Sequence, residues 1–318
     1  MSMFDEGRVM IRVAVNEMQP KAINPSIPYG PEEVTAEAVG CAEAGASIVH
    51  FHSRTDDGAQ ATDDDRNGAE IYRRALELTA RESDIILEPT NLPLGNDPSL
   101  AVDVPHLWSL VADPPIGTRL EVVNIDGFRF GHNRTAWDER EQRLLLINNR
   151  KLERDVPFEG PEVIREVLHR NLVPFFGLFD LADARLLSAF ARTGLVPQPV
   201  LVQLNFFWDL MRGPTPTIAG LDAFLAEWRR VPVDSEVCLF VRGMPDRESY
   251  ERLLDAALDR QVHLRVGLGD NPHLFPTSRN ADMVEHAVDL ASKKGLTPAT
   301  PADLRARIRI PVAGRGLS

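Results

Sequence analysis

Eight short apolar runs, separated by segments with helical periodicity, predict an α/β chain folded as a single (β/α)8 TIM barrel. Two further observations support that class. The chain has 318 residues, and α/β barrels routinely reach such lengths as one unit. No G-x-G-x-x-G follows the first apolar run, so the competing doubly wound fold lacks its dinucleotide-binding turn. We expect one domain over residues 1–318, with a polar excursion around 126–158 and a C-terminal extension around 295–318.

The predicted strands are residues 9–15, 47–52, 85–88, 119–124, 173–178, 200–205, 236–241 and 262–268. A helix begins at Pro31, where Pro at the first turn and the early acids Glu32 and Glu33 suit an N-terminus. Gly45 suits its end, because glycine readily adopts the left-handed conformation that stops a helix. Helical spacing recurs over 65–81, 161–169, 182–193, 218–229, 247–259 and 281–293. A last short helix over 301–308 follows the extended Thr297-Pro298-Ala299-Thr300. The strongly polar stretch 126–158 reads as loop and exposed helix, with a short strand over 144–148.

Composition narrows the function. A 43% hydrophobic content supports a large core, and a net charge of −12 argues against a nucleic-acid partner. The alternating Arg305, Arg307 and Arg309 read as a solvated face or a subunit contact. Cys41 and Cys238, the two cysteines, sit in apolar runs and imply inert core thiols rather than a disulfide framework. That fits a cytoplasmic location, as do the absence of a basic-then-apolar leader and of any apolar stretch of membrane-spanning length.

Chemistry concentrates at the predicted strand ends. In a strand, residues two apart face the same way, so His50 and His52 project together and can hold a divalent metal such as zinc. A pair of hydrogen-bonded strand-end histidines is the plainer alternative, but the polar loop with Arg54, Asp56, Asp57 and Gly58 follows at once. Active sites of such barrels form at the C-terminal ends of the strands. Those ends supply Asn16 and Glu17, then Glu88, Thr90 and Asn91, then Glu121, Asn124 and Asp126, then Asp180, Gln203, Asn205 and Arg242. The last strand supplies Arg265 and Asp270. An inward arginine can fix a carboxylate or clamp a substrate carboxylate, and an aspartate beside it can act as a general base. A structural ion pair closing the barrel would use the same two residues.

Three stretches carry a resemblance to a known family. They are Asn24-Pro25-Ser26-Ile27-Pro28-Tyr29-Gly30-Pro31-Glu32-Glu33; the run Cys41 to Arg54 with its His50-Phe51-His52; and Arg265-Val266-Gly267-Leu268-Gly269-Asp270-Asn271. In order and spacing the chain resembles the β-keto acid cleavage enzymes, the family of 3-keto-5-aminohexanoate cleavage enzyme. The resemblance implies a zinc-dependent homo-oligomeric barrel that converts a β-keto acid and acetyl-CoA to acetoacetate and a new CoA thioester. It implies His50 and His52 as metal ligands, Arg265 and Asp270 as catalytic arginine and base, and Glu17 close to a catalytic glutamate of the first strand. Thr90, Asn91, Asn124 and Arg54 are expected to bind substrate.

The chain departs from the family pattern at several positions. The resemblance implies a glutamate as third ligand where Gly269 stands. The family's Ser-Thr-Gly-Gly after the third strand reads Pro89-Thr90-Asn91-Leu92. The metal site is therefore expected to be completed by another strand-end carboxylate, with Glu17 first and Glu88 and Glu121 after it, or by water and substrate. The alternatives are histidines that bind substrate oxygens directly, a CoA-independent metal-assisted lyase or hydrolase, or a barrel that only binds a ligand.

Overall fold

The computed structural model describes residues 2–59, 61, 65–90, 105–126, 135–138, 143–146, 159–230 and 232–309. Numbering the barrel strands in chain order gives β1 (Ile11–Ala14), β2 (Ile48–Phe51), β3 (Ile86–Pro89) and β4 (Val122–Asp126). They continue as β5 (Val173–Leu178), β6 (Val200–Phe207), β7 (Ser235–Arg242) and β8 (His263–Val266). All hydrogen-bonded neighbours are parallel, in the order β3-β2-β1-β8-β7-β6-β5-β4. The two end strands, β3 and β4, lie side by side, so the sheet curls into a nearly closed barrel. This is the predicted single (β/α)8 barrel, with all eight expected strands present.

The helices are α1 (Pro31–Ala44), α2 (Asp65–Thr79), α3 (Pro105–Ala112), α4 (Glu159–His169), α5 (Leu181–Arg192), α6 (Ile218–Trp228), α7 (Arg247–Asp259), α8 (Asn280–Lys293) and α9 (Pro301–Ile308). α1 starts at Pro31 and stops at Gly45, whose φ of 113° is left-handed, as expected. Helix α3 was not expected, although Pro105 marks its first turn. Within the polar excursion, Thr135–Asp138 pairs antiparallel with Arg143–Leu146, so 135–138 is strand where loop or helix was expected. The other residues of that excursion from 127 onward, up to 158, lie outside the described residues. No helix among the described residues is long and apolar enough to cross a membrane.

Strand alternation builds the interior in layers. Ile48, Ile86, Val122, Phe175, Leu201 and Cys238 come from six strands yet form one buried cluster, which places them on the barrel axis. Met3, Met10, Ala299, Leu304 and Ile308 join it and plug the N-terminal end of the barrel. Two residues further along most strands the inward positions turn polar: Arg12, His50, Glu88, Asn124, Gln203 and Arg265 are all buried. The fold thus sets a charged layer directly above an apolar plug.

Helix α9 is fastened by the arginines that looked like a free face. Arg305 pairs with Glu121 at 2.9 Å and with Asp84 at 3.3 Å, while Arg307 pairs with Glu236 at 2.6 Å and with Asp234. Glu236 also meets His263 Nε2 at 2.7 Å. The expectation of a merely solvated face for Arg305 and Arg307 is therefore corrected: they latch the C-terminal helix to the barrel floor.

Candidate active site at the C-terminal mouth

The sheet order places β1 between β2 and β8, so the end of β1 meets residues from both neighbours. The His50 and His52 rings stand 5.3 Å apart, edge to face, at the end of β2. Asn16 fixes that end by accepting from the His52 N–H at 2.9 Å and donating to the His52 carbonyl at 2.9 Å. The chain then turns at Glu17, whose φ of 44° is left-handed and costly for a residue with a side chain. Arg54 holds the turn: it donates to the Glu17 carbonyl at 3.0 Å, the Gln19 carbonyl at 2.8 Å and the Gly58 carbonyl at 2.8 Å, and stacks on Tyr29.

The turn aims Glu17 at both imidazoles. Its Oε1 lies 3.3 Å from His50 Nε2 and its Oε2 lies 2.8 Å from His52 Nε2. The three candidate ligand atoms lie within 4.8 Å of one another. Two imidazoles and a carboxylate are the donor set of catalytic zinc sites, which leave a further position for water or substrate. The protonation states suit a metal as well. Burial pulls His50 down to about 3, against the raising effect of Glu17, so its ring is neutral. Burial opposes ionisation of Glu17, but His52, Arg265 and His50 together hold it well below the usual carboxylate range. Neutral imidazole and ionised carboxylate are the forms that bind a divalent cation.

Gly269 explains how Glu17 fits. The Gly269 N–H donates to the Ala14 carbonyl at 2.8 Å. A Cβ at 269 would lie 2.7 Å from Glu17 Cγ and 2.9 Å from that same carbonyl oxygen. The space a side chain at 269 would need is therefore filled by Glu17. The other two carboxylates suggested as ligands lie elsewhere. Glu88 binds Arg12 and sits on the Nδ1 side of His50, and Glu121 is tied to Arg305 at the opposite end of the barrel.

Arg265 joins this cluster to Asp270. Its Nε and Nη2 reach Asp270 Oδ2 and Oδ1 at 2.9 and 2.7 Å, a bidentate pair, and Nη2 also contacts Glu17 Oε1. The guanidinium lies 4.2 Å from the Phe240 ring centre. Burial raises Asp270 to about 6 even though Arg265 opposes the shift; the nearby Glu17 charge adds to it. A carboxylate poised near neutrality can take and return a proton. The two carboxylates push the Arg265 guanidinium upward despite its burial, so it stays charged.

Below and across the mouth lies a second polar group. Arg12 Nε donates to Glu88 Oε2 at 2.7 Å, and Arg12 also contacts Gln203 Oε1. Gln203 Nε2 donates to Asn205 Oδ1 at 2.6 Å. On β4, Asn124 Nδ2 donates to Asp126 Oδ1 at 2.9 Å. A Cβ on the facing Gly177 would lie 2.6 Å from Asp126 Oδ1 and 3.0 Å from Asn205 Nδ2, so glycine lets these groups approach. Phe179, Phe207 and Phe240 form an apolar wall.

Of the residues expected to bind substrate, Asn124 is in this group and Thr90 is buried just past β3. The Arg54 guanidinium is committed to backbone carbonyls, and Asn91 lies outside the described residues. Sequence reasoning missed Arg12. Its signal was a lone arginine inside an apolar strand, a position that demands a buried partner.

Fold and site together define a TIM barrel with a candidate metal triad and a poised carboxylate at its C-terminal mouth. Residues 8–310 match the beta-keto acid cleavage enzyme family, and the chain belongs to that family. It is 25% identical over 290 residues to a 3-keto-5-aminohexanoate cleavage enzyme of Fusobacterium nucleatum, covering 90% of this chain and 91% of that one. It is 25% identical over 293 residues to a 3-dehydrocarnitine:acetyl-CoA trimethylamine transferase of Rhizobium meliloti, covering 89% and 90%. Among solved structures it resembles ObcA, described in a ternary complex with a C4-CoA adduct and oxalate. That match has a TM-score of 0.66 at 16% identity, over 90% of this chain and 68% of that one.

Proposed function

We propose that this protein is a zinc-dependent acyl-exchange enzyme that converts a β-keto acid and acetyl-CoA to acetoacetate and a CoA thioester. The observation that carries the reading is the continuous set His50, His52, Glu17, Arg265 and Asp270, a metal-type donor triad joined by one guanidinium to one base. The names of the relatives, a keto acid cleavage enzyme and an acetyl-CoA transferase, support the reaction class.

His50, His52 and Glu17 would hold the zinc, which supplies Lewis-acid polarisation of the substrate's keto oxygen. Asp270 takes a proton from C2, the carbon between the keto group and the carboxylate. Arg265 keeps Asp270 aimed and ionised for that step. The C2 electron pair attacks the acetyl carbonyl and displaces CoA thiolate. The thiolate then attacks the original keto carbon, and the bond between that carbon and C2 breaks. Asp270 returns the proton to C2, so acetoacetate leaves with C1 and C2 of the substrate, and the remaining acyl group leaves on CoA. Arg54 acts at one remove, holding the strained Glu17 turn. The two buried, free cysteines fit action in a reducing cytoplasm.

The test is a panel of β-keto acids incubated with the zinc-loaded protein, with and without acetyl-CoA. Acetoacetate formation that requires acetyl-CoA supports the reading. Cleavage at the same rate without acetyl-CoA refutes it.

A further inference from the structure

Glu88 is a buried carboxylate that the reaction above leaves unused. It is opposite His50 in the β2–β3 register, and both side chains face the barrel interior. One oxygen, Oε2, accepts from Arg12 Nε at 2.7 Å, lies within ion-pair distance of Arg12 Nη2 at 2.5 Å, and is 3.7 Å from His50 Nδ1. The other oxygen, Oε1, is buried with no hydrogen-bond partner among the described residues, and so is His50 Nδ1. Arg12 is itself fixed, by Gln203 and by stacking 4.5 Å from the Phe175 ring centre. An orphaned imidazole nitrogen thus lies 3.7 Å from a buried carboxylate with one oxygen still free, just beyond hydrogen-bond range and on a rigid support.

The chemistry of imidazole says when they would meet. Without metal, His50 Nε2 faces the ionised Glu17 at 3.3 Å, an arrangement that places the single ring proton on Nε2. A metal ligand must present a bare Nε2, so a neutral ring then carries its proton on Nδ1. That creates a donor where none of the described residues otherwise accepts, unless Glu88 does. We propose that Glu88 is the positioning residue that accepts the His50 Nδ1 proton when Nε2 engages a divalent metal, so that the Arg12–Glu88 pair sets the tautomer and aim of the ligand. The proposal rests on the metal reading of the triad. His52 Nδ1 is also buried and unpartnered, and no carboxylate faces it among the described residues, so the support is confined to His50.

Two measurements on the folded protein test it. Calorimetric titration with zinc is expected to show Glu88→Gln binding about 10–100-fold more weakly than wild type, the usual effect of losing a ligand's outer partner. Nitrogen NMR of histidine-labelled wild-type protein is expected to show the His50 proton moving from Nε2 to Nδ1 on zinc addition, with a downfield, solvent-protected Nδ1–H. That resonance does not depend on whether Glu88→Gln folds. Unchanged zinc affinity in a folded Glu88→Gln, or a rapidly exchanging Nδ1–H in zinc-loaded wild type, overturns the proposal. Wild type that takes up no zinc refutes the metal reading itself.

Discussion

Replacing Gly269 with alanine is expected to expel Glu17 from the metal triad. The added Cβ would sit 2.7 Å from Glu17 Cγ, whereas carbon atoms pack best at about 3.5–4.0 Å. It would also lie 2.9 Å from the Ala14 carbonyl oxygen, which belongs to a barrel strand and cannot retreat. Glu17 must therefore withdraw by roughly 1 Å. A zinc–carboxylate bond is only about 2.0–2.2 Å long, so that displacement breaks it. Zinc affinity is expected to fall about 100-fold, equivalent to about 2.8 kcal/mol at 1.4 kcal/mol per tenfold. The fold should lose about 1–3 kcal/mol from overpacking. Zinc titration calorimetry reads the first effect and urea unfolding of the metal-free protein reads the second. Part of the stability loss should disappear in a Glu17→Gly background, because the two side chains compete for one space. A Gly269→Ala protein that binds zinc as tightly as wild type would refute the assignment of Glu17 as a ligand.

Other outcomes follow from the same geometry. Activity should fall as pH drops through about 6, where Asp270 gains a proton, and Asp270→Asn should lower kcat by about 10²–10⁴-fold; a pH profile and steady-state rates check both. The metal-free fold should weaken as pH falls from 6.5 toward 3. Over that range the unfolded chain protonates His50 while the folded one, with His50 near 3, does not; melting curves of wild type against His50→Gln read the difference. The raised Asp270 acts oppositely between 3.8 and 6, since its folded form holds a proton the unfolded chain has released. At the barrel floor, Arg307→Ala should cost about 1–3 kcal/mol in denaturant melts by stripping a partner from buried Glu236, and leave zinc affinity unchanged.

The parts of this site legible in the sequence obey short-range rules. His50 and His52 share a face because strand side chains alternate, and α1 is bounded by residues whose backbone preferences act locally. Long-range partners were harder to read. Glu17 was put first only for its closeness to the family's acidic position; that it, rather than Glu88 or Glu121, meets the Nε2 atoms of both histidines depends on β1 lying between β2 and β8 and on a left-handed turn at a glutamate. Arg305 and Arg307 looked like surface residues because their acidic partners lie from 71 to 221 positions away. Gly269 read as a lost ligand, and only the packing shows it to be the space that Glu17 fills.

Acyl exchange at a metal-dependent site can be followed by isotope tracing. Zinc-loaded protein is given an accepted β-keto acid and acetyl-CoA labelled in the acetyl group, and the products are resolved by mass spectrometry. Acyl exchange places the label in acetoacetate, leaves the CoA thioester of the remaining acyl group unlabelled, and loses both products when zinc is stripped. Unlabelled acetoacetate, or release of a free carboxylic acid in place of the thioester, would contradict it.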